Sequence, residues 1–289
     1  MYILLPSLAY VAALLAVLLR NHLKAGRDPL VSEGLSKIWV RQISLLALLC
    51  VHGISLQNSI FATQGFVFGF AQALSLMAWI GVAFYWIESW IVPLRGIFLL
   101  VLGMAAIFSF FPVVFEGSVL SDRAIHSPWF KIHFFVANAA YGLMSLAALH
   151  AVLMSWQDKR LRRHTQKSHQ SWFESILFSS VSAWLDKLPP LMTMERVLFN
   201  LLRVGFALLT LTVFTGIFFS ETLFGKPLMF DHKTVFALIS WLMFGGLLLA
   251  RWRRGMRGLQ ALRWVLGSFL VLMMAYVGSR FVLEVLLHR

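Results

Sequence analysis

The chain has 289 residues, of which 60% are hydrophobic and only 13% are charged. A soluble domain of this size carries roughly a quarter charged residues, so most of this chain is expected to lie in lipid, and no large soluble domain fits beside the apolar segments. The net charge of +13 does not indicate nucleic-acid binding, because the basic residues cluster in alternate loops between apolar runs. That distribution is typical of membrane proteins.

Eight apolar windows are each close to the length of about 20 residues that crosses a bilayer. In chain order they cover residues 2–19, 39–57, 66–87, 96–115, 131–154, 198–220, 234–250 and 264–286. The sequence therefore predicts an all-α, polytopic transmembrane helix bundle of eight spans, a single integral-membrane domain over residues 1–289. The loops after the first, third, fifth and seventh windows, with their flanks, together hold 18 basic residues, although the loop after the third window contributes only Arg95, and the opposite side holds six. This ratio places both termini on the outer (periplasmic) side.

Residues 156–196 form the longest hydrophilic segment. It starts with a basic run, and apolar residues then recur at roughly helical spacing, with Trp172 and Trp184 among them. The pattern predicts a basic cytoplasmic segment that carries an amphipathic helix on the inner membrane surface. The Pro189–Pro190 pair is expected to end that helix.

The nine histidines are the candidate functional residues, and the topology divides them. Those expected toward the outer side are His52, His126, His133, His232 and His288. Polar groups inside a membrane are costly and usually face a partner or a cavity. Neutral imidazole ligates zinc, copper, nickel and iron, including haem iron, so a shared ligand is one reading of this group.

The residues alone leave three readings open: haem, another metal, or purely structural histidines. A zinc site prefers closely spaced ligands, and none of the usual short zinc motifs occurs. The single cysteine, Cys50, lies in an apolar run, where we expect a buried small hydrophobe. His150 is expected to bond a backbone carbonyl. Haem needs only one or two axial imidazoles and an aromatic pocket, and phenylalanines are frequent at the predicted outer ends.

Several segments carry a resemblance to a known family. Residues 230–258 read FDHKTVFALISWLMFGGLLLARWRRGMRG, residues 275–282 read AYVGSRFV, and residues 129–149 read WFKIHFFVANAAYGLMSLAAL. These segments resemble the cytochrome c assembly protein family (CcsA/ResC/CcmC-like), whose tryptophan, histidine and tyrosine fall on Trp129, His133 and Tyr141. The segment PPLMTMERVLF resembles the small eight-span YpjD/HemX-like branch of that family.

The resemblance implies a haem-binding or haem-handling protein of the bacterial inner (plasma) membrane, multi-pass and not an enzyme, with haem near the outer face. His133 matches an outer histidine that binds haem in transit to apocytochrome c, and His52 resembles the histidine of an early span. Both are predicted as axial iron ligands. His288, Trp129 and Arg280 complete the predicted haem site, with Arg280 facing a haem propionate.

The sequence also departs from the family. The outer loop at 221–233 contains no tryptophan, and a family histidine falls on Leu249, so a complete cytochrome c synthase is not expected. The alternative is a non-catalytic regulatory or scaffolding membrane subunit, an effector of haem biosynthesis or a partner of another membrane protein, which would bind through residues 156–196. Haem, the lipid bilayer and such membrane or haem-biosynthesis proteins are the expected partners, and nucleic acid is not.

Overall fold

The computed structural model of the chain describes residues 3–23, 35–62, 65–91, 97–115, 117–119, 128–165, 188–224 and 232–282. The helices are α1 (Leu5–Leu23), α2 (Leu35–Ile60), α3 (Phe70–Ile91), α4 (Phe98–Val114), α5 (Pro128–Thr165), α6 (Leu191–Phe224), α7 (His232–Arg254) and α8 (Gly258–Met273). After α8 the chain continues through a π-helical segment, Met274–Gly278, into a short helical turn, Ser279–Phe281. Three short strands accompany the helices: β1 (Phe61–Ala62), β2 (Gly65–Phe68) and β3 (Ser118–Val119).

The eight predicted apolar windows each overlap one of the helices α1 to α8. Five segments are long and apolar enough to cross a membrane: Ile38–Ile60, Phe70–Ile91, Pro128–Arg162, Leu191–Ile217 and His232–Arg254. Three shorter apolar helices are Leu5–Leu19, Phe98–Val114 and Gly258–Met273. The described part of the chain is therefore a helical membrane bundle with a small sheet, while the count of eight spans and the outer position of both termini stay predictions.

The small sheet corrects the predicted start of the third span. Residues 66–68 belong to β2, which pairs antiparallel with β1 and with β3, so that Phe66 lies opposite Phe61 and Val67 opposite Val119. Helix α3 begins only at Phe70, next to a backbone N–H of Gly69 that donates to the Gln72 side chain at 3.0 Å. An apolar run of aromatic residues suits a strand as well as a helix, which is why hydropathy misplaced this boundary.

The basic run after the fifth window is helical where it is described. Helix α5 continues to Thr165 instead of ending near residue 154, and within this extension Arg162 pairs with Asp158 one turn earlier at 2.8 Å. Such a pair supports an exposed helix modestly. The predicted amphipathic helix lies in the second part of the segment 156–196, from Ser171 to the Pro189–Pro190 pair, and nearly all of it falls within residues 166–187, which lie outside the described residues.

The chain divides into two compact units. The first, Met1–Val92 with Phe98–Ser127, contains α1 to α4 and the strands, and the second, Pro93–Ile97 with Pro128–Arg289, contains α5 to α8. The prediction of one integral-membrane domain stays a prediction.

In the first unit, two tryptophans bind α3 to α2. The indole of Trp79 donates to the carbonyl of Leu49 at 2.8 Å, and that of Trp86 donates to the carbonyl of Gln42 at 3.1 Å. The two donors are seven residues apart on α3, and the two acceptors are seven residues apart on α2 in the reverse order. The two helices therefore run antiparallel. In lipid an indole N–H without an acceptor is costly, so these two bonds specify the register of α2 against α3.

Cys50 corrects a further expectation. Its side chain is exposed on α2 rather than buried. A membrane helix is apolar on its lipid-facing side as well as on its packed side, so an apolar neighbourhood in sequence does not predict which side a residue takes.

In the second unit, α5 packs most extensively on α6. Gly205 of α6 allows this approach, because a Cβ there would lie 3.0 Å from the Cε of Met144, a fully buried side chain of α5. Small residues at such contacts let membrane helices pack closely. Helix α5 also holds α8, since the Tyr141 hydroxyl donates to the carbonyl of Leu272 at 2.9 Å, just before the π-helical segment.

Candidate functional site

His133 is the predicted site residue with the clearest local geometry. It lies in the second turn of α5, and its Nδ1 is 3.2 Å from the hydroxyl oxygen of Thr215 on α6. The Thr215 hydroxyl is itself 2.8 Å from the carbonyl of Leu211 on its own helix. The two helices thus bring together residues that are 82 positions apart in the chain.

These distances assign the tautomer of His133. A threonine hydroxyl has one hydrogen, and Thr215 donates it to Leu211, so its oxygen accepts a hydrogen bond from the imidazole. The proton of the neutral ring therefore sits on Nδ1, and the lone pair sits on Nε2. A neighbour that bonds one ring nitrogen and thereby fixes the other as the ligand is the usual second-shell arrangement of metal-binding histidines.

Gly216 makes room for this ring. A Cβ at Gly216 would lie 3.2 Å from Cε1 of His133 and 3.6 Å from its Nδ1. A side chain at that position would push the imidazole away from α6 and from the Thr215 hydroxyl. The Thr215–Gly216 pair therefore sets both the orientation and the depth of the histidine.

Trp129 lies one turn before His133 on α5 and is 40% exposed. Residues four apart share a helix face, so the structure places these two predicted site residues side by side. Phe130 and Phe134 make a second aromatic pair on the same turns, with ring centroids 5.7 Å apart. The first turns of α5 thus combine an imidazole with aromatic surface, which is the composition that a haem ligand site requires.

His52 has a different environment, inside the first unit. It is 1% exposed, its Nδ1 is 3.1 Å from the hydroxyl of Tyr10 on α1, and its Nε2 is 2.9 Å from the hydroxyl of Ser75 on α3. Tyr10 and Ser75 are equally buried. The three side chains form a hydrogen-bonded chain across α1, α2 and α3, and satisfied networks of this kind rigidify a core.

Iron ligation by His52 would require one of these two hydrogen bonds to be replaced, because both ring nitrogens are engaged. In the arrangement described, His133 fits an iron ligand and His52 fits a structural node. The predicted role of His52 in metal binding, and its pairing with His133, stay predictions.

The remaining predicted residues are only partly described. Arg280 lies in the final helical turn, where its side chain is outside the described residues, and His288 and His126 lie beyond them altogether. His232 is exposed at the start of α7. The expectation for His150 is confirmed, since its Nδ1 is 2.9 Å from the carbonyl of Leu146. Among the described residues, no group of three or more His, Cys, Asp or Glu side chains is arranged to hold a metal ion.

The long, apolar helices define a multi-pass integral membrane protein, and its helix α5 presents the His133 imidazole beside aromatic side chains near the helix start. Comparison with known proteins names its family. The family model described as Cytochrome C assembly protein matches residues 38–287, so the chain belongs to the cytochrome c assembly protein family. This confirms the resemblance that the sequence segments carry.

The chain spans about half the length of the individual relatives that it matches. The Inner membrane protein YpjD of Escherichia coli (strain K12) is 28% identical over 160 residues, 55% of this chain and 54% of the relative. An uncharacterized 28.8 kDa protein of Azospirillum brasilense is 34% identical over 161 residues, 55% and 53% of the two chains. The Cytochrome c biogenesis protein CcsA of Heterosigma akashiwo is 26% identical over 190 residues, 59% and 58%.

Sequence reasoning missed the residues that position the imidazoles. Thr215 and Gly216 hold His133, and Tyr10 and Ser75 hold His52. Threonine and serine are common in membrane helices, where they usually bond their own backbone, so nothing in their spacing marks these particular ones.

Proposed function

We propose that this chain is a non-catalytic haem-handling protein of cytochrome c biogenesis in the bacterial inner membrane, and that His133 binds the haem iron near the outer surface. Family membership supports the haem context, and the name of the Escherichia coli relative supports the membrane. Haem, when bound, would supply an iron that accepts the imidazole nitrogen.

The observation that carries the proposal is the Thr215–His133 hydrogen bond. It directs the lone pair of His133 to Nε2, the nitrogen opposite the one that Thr215 holds. Because Thr215 is 5% exposed, water competes little for that bond. The chain's own residues thus prepare the ring for a ligand before the ligand arrives, and preorganisation of this kind raises affinity.

Aromatic side chains supply the second element. Trp129, 40% exposed, presents apolar ring surface one turn before His133 on the same face of α5. A porphyrin is flat and apolar, so it gains both from the buried area and from ring stacking. The scaffolding alternative draws on residues 156–196, of which residues 166–187 lie outside the described residues, and no described contact favours it.

An absorption titration tests the proposal. The full-length protein is purified in detergent without haem, haem is added stepwise, and the Soret band is followed together with the visible bands after reduction. We expect His133→Ala to weaken haem binding at least tenfold and to change the spectrum, because the axial imidazole is lost.

The matched control is His232→Ala, which removes an exposed imidazole from the same unit. It should leave both the affinity and the spectrum unchanged. Equal loss in the two variants, or an unchanged spectrum in His133→Ala, would refute His133 as the ligand.

A further inference from the structure

A cavity of ≈ 440 Å³ lies in the second unit where the start of α6 meets the end of α7 and the loop to α8. Five of the nine residues that line it carry a charge, and the other four are apolar. The arginines and the single acid that line it are Arg196, Arg203, Arg251, Arg257 and Glu195. Four positive charges and one negative charge leave the lining with a clear positive excess.

Part of this lining is a fixed frame. Glu195 pairs with Arg251, whose side chains are only 15% and 24% exposed, and Arg257 approaches the same carboxylate at 3.6 Å. Arg251 also donates to the carbonyl of Met256 at 3.1 Å, and its guanidinium lies 4.0 Å from the centroid of the Phe199 ring. The Glu195 carboxylate is thereby paired within this frame, and among the described ion pairs it forms none with Arg196 or Arg203.

The loop geometry holds this frame in place. Gly255 and Gly258 have φ values of 63° and 67°, which a residue with a side chain rarely adopts. The N–H of Gly255 bonds the carbonyl of Arg251 at 3.0 Å and closes α7. Arg257 follows between the two glycines, so the turn places it on the cavity.

The remaining two arginines lie outside this frame. Arg196 and Arg203 are exposed and seven residues apart on α6, which puts them on one face two turns apart. Arg203 bonds Asn200 and a backbone carbonyl on its own helix, whereas Arg196 makes no hydrogen bond or ion pair with any described residue. Guanidinium groups suit planar, two-pronged binding of phosphate oxygens.

The apolar surroundings indicate an amphiphile. Trp252 lines the cavity and is 79% exposed, and Met192, also in the lining, is 69% exposed. Tryptophan at a helix end is typical of the membrane–water interface, and a basic pocket between transmembrane helices is a common site for anionic lipid head groups. An acyl chain would extend along these apolar side chains while the head group meets the arginines.

We propose that this cavity binds the phosphate head group of an anionic phospholipid through Arg196 and Arg203, with Arg257 at its edge. The site is independent of the haem proposal, because it shares no residue with the His133 site. A free phosphate compound offers the same chemistry as a lipid head group, so the experiment must separate the two.

The test is a titration of the full-length protein in detergent with phosphatidylglycerol, followed by native mass spectrometry. In Arg196→Gln/Arg203→Gln we expect the affinity for phosphatidylglycerol to fall by about 30-fold, since each arginine near an anionic surface contributes roughly a factor of five. The matched control is Arg253→Gln/Arg254→Gln, which removes two exposed charges at the end of α7 that do not line the cavity. It should change the affinity by less than about threefold.

Other outcomes overturn the proposal. Equal losses in the two double variants would show a diffuse surface attraction, and no loss in either would show that the cavity does not bind the head group. Binding of phosphatidylcholine with the same affinity would refute selection for a net negative head group. Displacement of phosphatidylglycerol by millimolar inorganic phosphate would assign the cavity to a soluble phosphate instead.

A second pair of variants protects the test against misfolding. Arg196→Lys/Arg203→Lys keeps the charge and removes the planar fork, and Arg253→Lys/Arg254→Lys is its control. We expect a several-fold loss in the first pair only. Equal affinities in these two lysine variants would refute recognition by the guanidinium groups.

Discussion

Replacing Thr215 by valine exchanges its hydroxyl for a methyl group of similar size, so the variant tests the hydrogen bond to His133. In Thr215→Val the Nδ1–H of the ring loses the hydroxyl oxygen of Thr215 as an acceptor, so this contact no longer holds the imidazole in the tautomer with its lone pair on Nε2. The loss of an outer-shell partner of a metal ligand typically costs about 10–100-fold in affinity, which is about 1.4–2.8 kcal/mol.

We therefore expect haem affinity to fall by about 10–100-fold in Thr215→Val. The assay is the absorption titration described above, with the dissociation constant taken from the Soret band. Thr212→Val is the matched control, because its hydroxyl bonds the Leu208 carbonyl at 2.9 Å and the substitution is chemically identical. Unchanged affinity in Thr215→Val, or an equal loss in Thr212→Val, would contradict the assignment of Thr215 as the positioning residue.

Two further predictions concern the packing of the second unit, and both are measured as the free energy of unfolding in mixed detergent micelles. Tyr141→Phe should lose about 0.5–1.5 kcal/mol, because the Leu272 carbonyl loses its donor beside the π-helical segment; an unchanged value would mean that this bond does not stabilise α8. Gly205→Leu should lose about 1–3 kcal/mol by displacing Met144, whereas Gly246→Leu, where a Cβ would meet nothing within 4 Å, should lose much less. Equal losses in the two leucine variants would show a helix-propensity effect instead.

The positions of the helices could be predicted from the sequence because a segment that crosses the bilayer has to be apolar over about 20 residues. Each predicted window overlaps a described helix. Helix α6 begins at Leu191, directly after the Pro189–Pro190 pair, while the helix that this pair is predicted to end falls outside the described residues. Hydropathy failed at finer detail, at Phe66–Phe68 and at Cys50. Both failures have one cause: hydropathy records that a residue is apolar, but neither its backbone geometry nor the face that it occupies.

Hydropathy also fails to predict how far a membrane helix is buried against its neighbours. In the apolar stretch of α3, 61% of the residues are buried within the structure, whereas in that of α7 only 17% are buried. Their mean hydropathies are nonetheless similar, at 1.5 and 1.8. The more apolar helix is the less packed one. In a soluble protein burial would follow hydropathy, but in lipid the exposed face is equally apolar, so the packed face has to be found from contacts such as Gly205 with Met144.

The site was predictable only in part. The register of a known family helix located His133 and Tyr141, and the structure gives each a specific contact, with Thr215 and with Leu272. The contacting residues themselves lie 82 and 131 positions away. A single sequence carries no information about such pairings, since they depend on which helices pack together and at what depth.

Helix α6 carries residues of both candidate sites of the second unit, so the distance between the sites along this helix can be compared with the thickness of a bilayer. Arg196 and Thr215 are separated by 19 residues of continuous helix, or roughly 28 Å at 1.5 Å per residue. The hydrocarbon core of a bilayer is about 30 Å thick. The arginine cavity and the His133 contact therefore lie one membrane thickness apart along one helix, so a lipid head group at the first and an apolar cofactor at the second would each meet an interface. That separation follows from helix geometry alone and does not depend on the distribution of charge among the loops.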